Sequence, residues 1–89
     1  PFEVETAVLT HQSVLEVAVV GQPDQDDLIK PKAFVVLNTG HAASDDLAQA
    51  LIDHAKAELA AFKRPRWIEF VEELPKTATG KIQRYKLRL

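Results

Sequence analysis

Val14-Leu15-Glu16-Val17-Ala18-Val19-Val20 is β-branched and nearly all apolar, the pattern of a strand covered on both faces. Gly21 and Pro23-Asp24 follow and predict its end, with Asp26-Asp27 in the turn beyond. Lys32 to Leu37 is a second strand, with Ala33-Phe34-Val35-Val36-Leu37 at its heart and Asn38-Thr39-Gly40 as the closing turn. Upstream, Pro1 to Thr10 reads as a helix: a proline at its start, acids early, and Val4, Ala7 and Val8 on one face. Downstream, Ser44 suits a helix N-cap, and Asp45 and Asp46 place negative charge where the helix dipole favours it. Leu47, Leu51, Ile52, Ala55, Leu59 and Phe62 then recur at helical spacing until Pro65 stops the helix. Trp67-Ile68-Glu69-Phe70-Val71 is a third strand, with Trp67 expected in the core. Leu74 to Gly80 favour an exposed loop, and Gln83 to Leu89 a short basic helix. The order implies an α+β domain in which a small, about three-stranded sheet is flanked by helices.

The chain has 89 residues, enough for one small domain spanning 1–89. At this size roughly 60% of the unfolded chain's surface is buried on folding, so the core is thin. The 46% hydrophobic and 27% charged residues fit a folded globular chain rather than a disordered one. With no cysteine there is no disulfide, thiolate metal site or cysteine nucleophile, and a reducing, cytoplasmic setting is expected. No apolar run approaches the ~20 residues of a membrane helix, and no signal peptide is evident. A start at Pro1-Phe2-Glu3-Val4-Glu5, in a chain without methionine, is the expectation for a fragment. Charge is unevenly placed. Residues 1–62 carry three lysines against ten acids, a net of −7; residues 63–89 carry eight Lys/Arg against Glu69, Glu72 and Glu73, a net of +5. A basic end on an acidic domain suits an anionic ligand or, equally, a solvated tail. His11, His41 and His54 lack the paired helical spacing of a zinc site and are expected as separate surface residues.

The stretch Leu74-Pro75-Lys76-Thr77-Ala78-Thr79-Gly80-Lys81-Ile82-Gln83-Arg84 carries the chemistry. A P-loop fails on spacing, because Pro75 stands where its first glycine belongs and Ile82 where its Ser/Thr belongs. Proline has no N–H for a phosphate. What remains is a polar loop, stiffened by Pro75 and released by Gly80, that presents Lys76 and Lys81 about one strand's length apart. A lysine at a loop tip is a compact charge with three donors, suited to stabilising charge during acyl or phosphoryl transfer, but on the residues alone a merely solvated loop is the favoured reading.

The segment Pro75-Lys76-Thr77-x-x-Gly80-Lys81-Ile82 resembles the last signature motif of the adenylate-forming superfamily, which includes acyl- and aryl-CoA synthetases, peptide-synthetase adenylation domains and luciferases. Pro1-Phe2-Glu3-Val4-Glu5, Val19-Val20-Gly21-x-Pro23-Asp24 and Lys32-Ala33-Phe34-Val35 resemble further parts of that superfamily's C-terminal domain. Leu28 to Phe34 and Trp67 to Val71 look most like its benzoate–CoA ligase branch. The sequence departs from many relatives at Leu28-Ile29, where they carry Gly-Glu, so the resemblance leaves that turn open.

The resemblance implies that Lys81 is catalytic, with Pro75, Lys76, Thr77 and Gly80 forming its loop. It implies a two-step reaction in which a carboxylic acid and Mg-ATP give an acyl-adenylate, and CoA then displaces AMP. Mg²⁺ would travel with ATP and be held mainly by the superfamily's large N-terminal domain, the partner against which this mobile domain alternates; alone, the 89 residues would be inactive. It also implies that Phe62, Arg64 and Arg66 contact CoA, and that Lys81 is open to a lysine acetyltransferase. An aromatic acid would place the enzyme in aromatic catabolism. Rival readings are an adenylation domain that loads a carrier protein and, given the basic end, a small RNA-binding module. The absence of interleaved strand aromatics weighs against nucleic acid.

Overall fold

Three strands and two helices appear in the expected order: α1 (Phe2–Leu9), β1 (Val14–Pro23), β2 (Ile29–Leu37), α2 (Asp45–Glu58) and β3 (Trp67–Phe70), with a 3-10 helix at Arg84–Leu87. The structure, a computed structural model, describes residues 2–59 and 64–88. The sheet order is β1-β2-β3, with β1 antiparallel and β3 parallel to the central β2. A parallel pair needs a long crossover, which α2 supplies.

The alternating faces of β1 explain its unbroken apolar run. Val17 and Val19 join Ala33, Val35 and the inward residues of both helices: Val4, Ala7 and Val8 of α1, Leu51 and Ala55 of α2. Ala18 and Val20 join Phe34, Val36 and Leu74 on the other face, where Val71, Ile82 and Leu87 pack against them. The small sheet flanked by helices is as expected, and the packing adds how they are divided. Both helices lie on one face, and the C-terminal segment covers the second. Leu74 is accordingly buried and anchors the loop that was expected to be exposed from that residue onward.

A register shift between Val14 and Glu16 leaves Leu15 as an extra, exposed residue in β1. Strand side chains alternate, so without this bulge Val14 would share a face with Glu16 and Ala18. With it, Val14 packs toward the helices while Glu16 points to the second face.

Gly21 does not end β1, which runs on to Pro23 and stops at the expected Pro23-Asp24 break. Gly21 pairs with Pro31 and Pro23 with Ile29, so β2 begins three residues before the expected Lys32. A Cβ on Gly21 would lie 2.7 Å from Ile29 Cγ2. The glycine marks a close approach within the hairpin rather than a break. Pro31 is tolerated because the parallel ladder to β3 starts one residue later, at Lys32↔Trp67, and Pro31 contributes only its carbonyl, to the Arg66 N–H at 2.8 Å. The connecting turn has Asp27 at φ 60, a left-handed conformation that Asp accepts, and Asp24 Oδ1 takes the Asp26 and Leu28 N–H groups at 2.8 and 3.1 Å. Leu28 and Ile29, left open by the resemblance, are exposed at the end of this turn and the start of β2.

Ser44 caps α2 as expected, its Oγ accepting the Leu47 N–H at 3.0 Å. The helix ends at Glu58, earlier than the spacing suggests. Leu59 takes an extended conformation and its N–H closes on Ala55 O at 2.9 Å. Phe62, expected on that helix, lies outside the described residues. Trp67, expected in the core, is half-buried and belongs to neither apolar cluster; the Arg66 guanidinium stands 5.8 Å from its ring centre.

Two of the three histidines are not separate. His11 and His54 meet edge to face with ring centres 5.1 Å apart. Thr10 Oγ1 donates to Ala7 O at 2.7 Å, so at 2.6 Å it accepts from His54 Nε2–H. His11 Nδ1 accepts from the backbone N–H of buried Ser13 at 3.2 Å and from its hydroxyl at 2.7 Å. Among the described residues no group of three His, Cys, Asp or Glu is arranged to hold a metal. Burial, and then the neighbouring His54 and His41, hold the His11 imidazole below its usual pKa. No helix among the described residues is long and apolar enough to cross a membrane.

Candidate active-site hairpin

Lys76 and Ile82 pair as an antiparallel bridge, and the Gln83 N–H closes on Pro75 O at 2.8 Å, so the signature stretch is a miniature hairpin. Its tip is a β-turn from Thr77 to Gly80, closed by the Gly80 N–H to Thr77 O at 3.0 Å. Gly80 then adopts φ +88, and the Thr77 N–H reaches Lys81 O at 2.8 Å. This is the three-residue hairpin in which a left-handed glycine forms a bulge after the turn. Thr77 Oγ1 adds a bond from the Lys81 N–H at 3.1 Å and meets Thr79 Oγ1 at 3.1 Å. Pro75, Thr77 and Gly80 therefore have definite tasks: Pro75 accepts at the base, Thr77 ties the tip four times, and Gly80 supplies the turn.

The Lys81 side chain leaves this tip into solvent and its ammonium makes no hydrogen bond or ion pair with the described residues. Lys76 is different. Its Nζ lies 2.6 Å from Glu16 Oε1, so of the two lysines one braces the hairpin and the other is available. Beneath, Leu74 and Ile82 seat the hairpin on the sheet's second face.

Glu5 and Arg84, which the sequence reading did not single out, hold the hairpin's trailing arm. Arg84 Nε donates to Glu5 Oε2 at 2.7 Å and Nη2 to Oε1 at 2.5 Å, a bidentate pair. Glu5 is only 8% exposed, and Oε2 also takes the Val19 N–H at 2.8 Å. That carboxylate thus caps an edge-strand donor of β1 as well as gripping the arginine. The hydrogen bond to Glu5 is the main reason the Arg84 guanidinium is held above its usual pKa, with the carboxylate charge adding to it. The two residues are 79 positions apart, so no spacing rule links them.

Arg64, Pro65 and Arg66 alternate exposed, buried and exposed, which puts both arginines on one side, as an extended segment requires. They line a cleft of about 330 Å³ with Asp53 and Lys56 of α2. That cleft is remote from the hairpin. Arg66 bonds to Pro31 at the start of β2, whereas Glu16, the hairpin's brace, pairs with Val36 near its end. Five strand residues separate these positions by ~16 Å. The cleft borders α2 on the helical side, and the hairpin rests on the opposite face.

A three-stranded sheet with both helices on one face and an exposed lysine hairpin on the other defines a small α+β domain built to present a charge. The sequence profile of the AMP-binding enzyme C-terminal domain matches residues 3–81, and the chain belongs to that family. It is 61% identical over 88 residues, 99% of its length, to benzoate–CoA ligase of Thauera aromatica, of which it covers 17%. It is 50% identical over 88 residues to 4-hydroxybutyrate–CoA ligase 1 of Metallosphaera sedula, covering 99% of this chain and 16% of that one. The crystal structure of a benzoate CoA ligase from Burkholderia xenovorans superimposes with a TM-score of 0.93 at 54% identity, covering 100% of this chain and 18% of that one. The chain thus spans about one sixth of the length of these relatives. An RNA-reading sheet needs one open face carrying aromatics. Here both faces are covered, and the family match replaces that rival reading.

Proposed function

We propose that residues 1–89 are the mobile C-terminal domain of an AMP-forming acid–thiol ligase, with Lys81 as its adenylation lysine. A carboxylate oxygen of the acid attacks the α-phosphorus of Mg-ATP, pyrophosphate leaves, and an acyl-adenylate results. The CoA sulfur then attacks the acyl carbon, its proton is lost, and AMP leaves. Lys81 acts in the first step, its ammonium set between the acid's carboxylate and the α-phosphate. At ~4 Å and an effective dielectric near 20, one such ion pair contributes about 4 kcal/mol before desolvation. The observation that supports this reading is the division of labour in the hairpin: Lys76 is tied to Glu16, while the Lys81 ammonium stands unpaired among the described residues on a tip braced by its own hydrogen bonds.

The acid is an aromatic one of the benzoate type, which would place the enzyme in aromatic catabolism. The 61% identity to a benzoate–CoA ligase supports this, although the pocket for the acid belongs to the rest of such an enzyme. Arg64 and Arg66, on one side of their segment, would bind the phosphates of CoA, with Phe62 nearby in sequence for its adenine. Hairpin and arginine cleft lie at opposite ends and faces of the sheet. One acyl group is therefore served first by Lys81 and then by the CoA site only if the domain turns against its own N-terminal domain between the steps. ATP and Mg²⁺ would be bound mainly there. An acetyltransferase acting on exposed Lys81 would remove its charge and stop the first step. Without cysteine to oxidise, the domain suits the cytoplasm.

In the full-length protein, Lys81→Ala is expected to abolish acyl-adenylate formation, read by ATP–pyrophosphate exchange. Capture of supplied acyl-adenylate by CoA should be largely intact. Removing one such donor costs on the order of 10²–10³ in rate, and a full charge costs more. Equal loss in both half-reactions refutes the assignment. Arg64→Ala with Arg66→Ala should raise KM for CoA and spare adenylation; an unchanged CoA dependence counts against the nucleotide contact.

A further inference from the structure

We infer that Glu5 and Arg84 are positioning residues for adenylation: their bidentate pair, anchored on the buried Glu5, sets the direction in which the hairpin presents Lys81. This rests on the reading of Lys81 as the adenylation lysine. The hairpin has three attachments to the rest of the fold. Leu74 and Ile82 seat it on the apolar second face, Lys76 meets Glu16, and Arg84, three residues after Lys81, meets Glu5.

These attachments differ in what they fix. Apolar contact is non-directional, so the floor under Ile82 sets the height of the hairpin above the sheet but not its azimuth. The Lys76–Glu16 pair joins a rotatable ammonium to a carboxylate through one contact, with neither partner buried, so it constrains angle weakly. Arg84 is otherwise. Two parallel N–H···O bonds hold its planar guanidinium in the plane of the Glu5 carboxylate. That carboxylate is fixed in turn, because Oε2 also takes the Val19 N–H and the residue is buried between α1 and β1. Every buried side-chain polar atom among the described residues has a partner, so the clasp is complete.

An ion pair with its carboxylate buried and its guanidinium partly exposed is a weak source of net stability. Directional fixing of the arm that carries Lys81 is what this pair supplies and an apolar substitute would not. The geometry therefore links α1, through one carboxylate, to the aim of a side chain on the far face of the sheet.

The test uses the full-length protein with Glu5→Gln, Arg84→Lys, the double variant, and Lys81→Ala in parallel. Gln at position 5 keeps an acceptor for the Val19 N–H, and Lys at position 84 keeps the charge while losing the fork. Each single variant should lower the kcat of adenylation on the order of 10–10²-fold, the scale of a small misplacement of a reacting group. KM for ATP and acid and the rate of CoA capture from supplied acyl-adenylate should each stay within about twofold. The double variant should lose no more than the worse single, because the two act as one unit. Equal losses in the two half-reactions, a loss that follows the drop in unfolding temperature, or multiplicative losses in the double overturn the inference. If Lys81→Ala is selective for adenylation and Glu5→Gln and Arg84→Lys are not, the clasp fails alone. If Lys81→Ala is itself unselective, the reading of the lysine fails and the inference with it. Should Glu5→Gln not fold, Arg84→Lys decides by the same comparison, since it leaves the Glu5–Val19 bond in place.

Discussion

Gly80 offers a way to perturb the aim of Lys81 without touching any contact. Its φ is +88, and a Cβ built there meets nothing within 4 Å. Gly80→Ala therefore creates no clash, and its cost is the intrinsic one of an L-residue in left-handed backbone, ~1–2 kcal/mol. The tip is exposed and can open without disturbing either apolar cluster, so the domain's own unfolding free energy should fall by no more than that amount. The lysine, by contrast, is presented correctly only while the turn is closed. At ~1.4 kcal/mol per factor of ten, the closed turn is disfavoured relative to wild type by ~5–30-fold. Adenylation by pyrophosphate exchange should drop toward that factor, while CoA capture from supplied acyl-adenylate stays near wild type. The control is stereochemical. Gly80→D-alanine, installed by ligating a synthetic C-terminal peptide, adds the same methyl group with the opposite backbone preference, and should restore adenylation to the glycine level or above. Equal impairment by the L- and D-alanine variants would show that the methyl group itself obstructs the site, and the conformational argument would be wrong.

Two further outcomes follow from the fold. The folded-state pKa of His11 is depressed, so the native state binds fewer protons than the unfolded chain. Stability on this account is fully present above the unfolded imidazole value near ~6.5 and falls as pH drops from there toward the depressed value. Protonation at Nδ1 also removes the acceptor for the Ser13 N–H; urea midpoints across this range should decline with acid for wild type and less steeply for His11→Gln. Gly21→Ala should cost about 1 kcal/mol, because its Cβ would lie 2.7 Å from Ile29 Cγ2. The cost should largely vanish in an Ile29→Ala background, since Ile29 is exposed and has little else to lose; an additive double variant would contradict this.

What was legible in the sequence was whatever local physics decides. The run Val14–Val20 announced a strand covered on both faces because both sets of alternate residues, apolar except for Glu16, have covers to find. Ser44 announced α2 through its own hydroxyl. Pro75 and Gly80 marked the bounds of a loop whose internal hydrogen bonds they determine. What was not legible depended on partners. Gly21 and Pro31 look like breakers, and only the register shows that one makes room for Ile29 while the other sits just before the parallel ladder begins. The end of α2 at Glu58 and the placing of both helices on one face are likewise set by packing. So is the meeting of His11 with His54. At the site, Lys81 was readable from its motif, but the carboxylate that holds its arm was not. Glu5 looks like an ordinary first-turn acid of α1, and its partner is the length of the chain away.

If Lys81 has the proposed role, the hairpin's internal bonding bears on why one lysine would suffice. Lys81 has a flexible stem, and fixing it on a substrate costs about 2 kcal/mol of rotamer freedom against the ~4 kcal/mol of a single ion pair. The margin is narrow. Were Thr77 to Lys81 unordered until the substrate arrived, fixing five backbone residues at ~1–2 kcal/mol each would add ~5–10 kcal/mol, more than the ion pair returns. The bonds Gly80 N–H to Thr77 O, Thr77 N–H to Lys81 O and Lys81 N–H to Thr77 Oγ1 settle that ordering during folding. A loop that merely carried the same lysine would not be a weaker version of this site; on these magnitudes its net contribution would be negative.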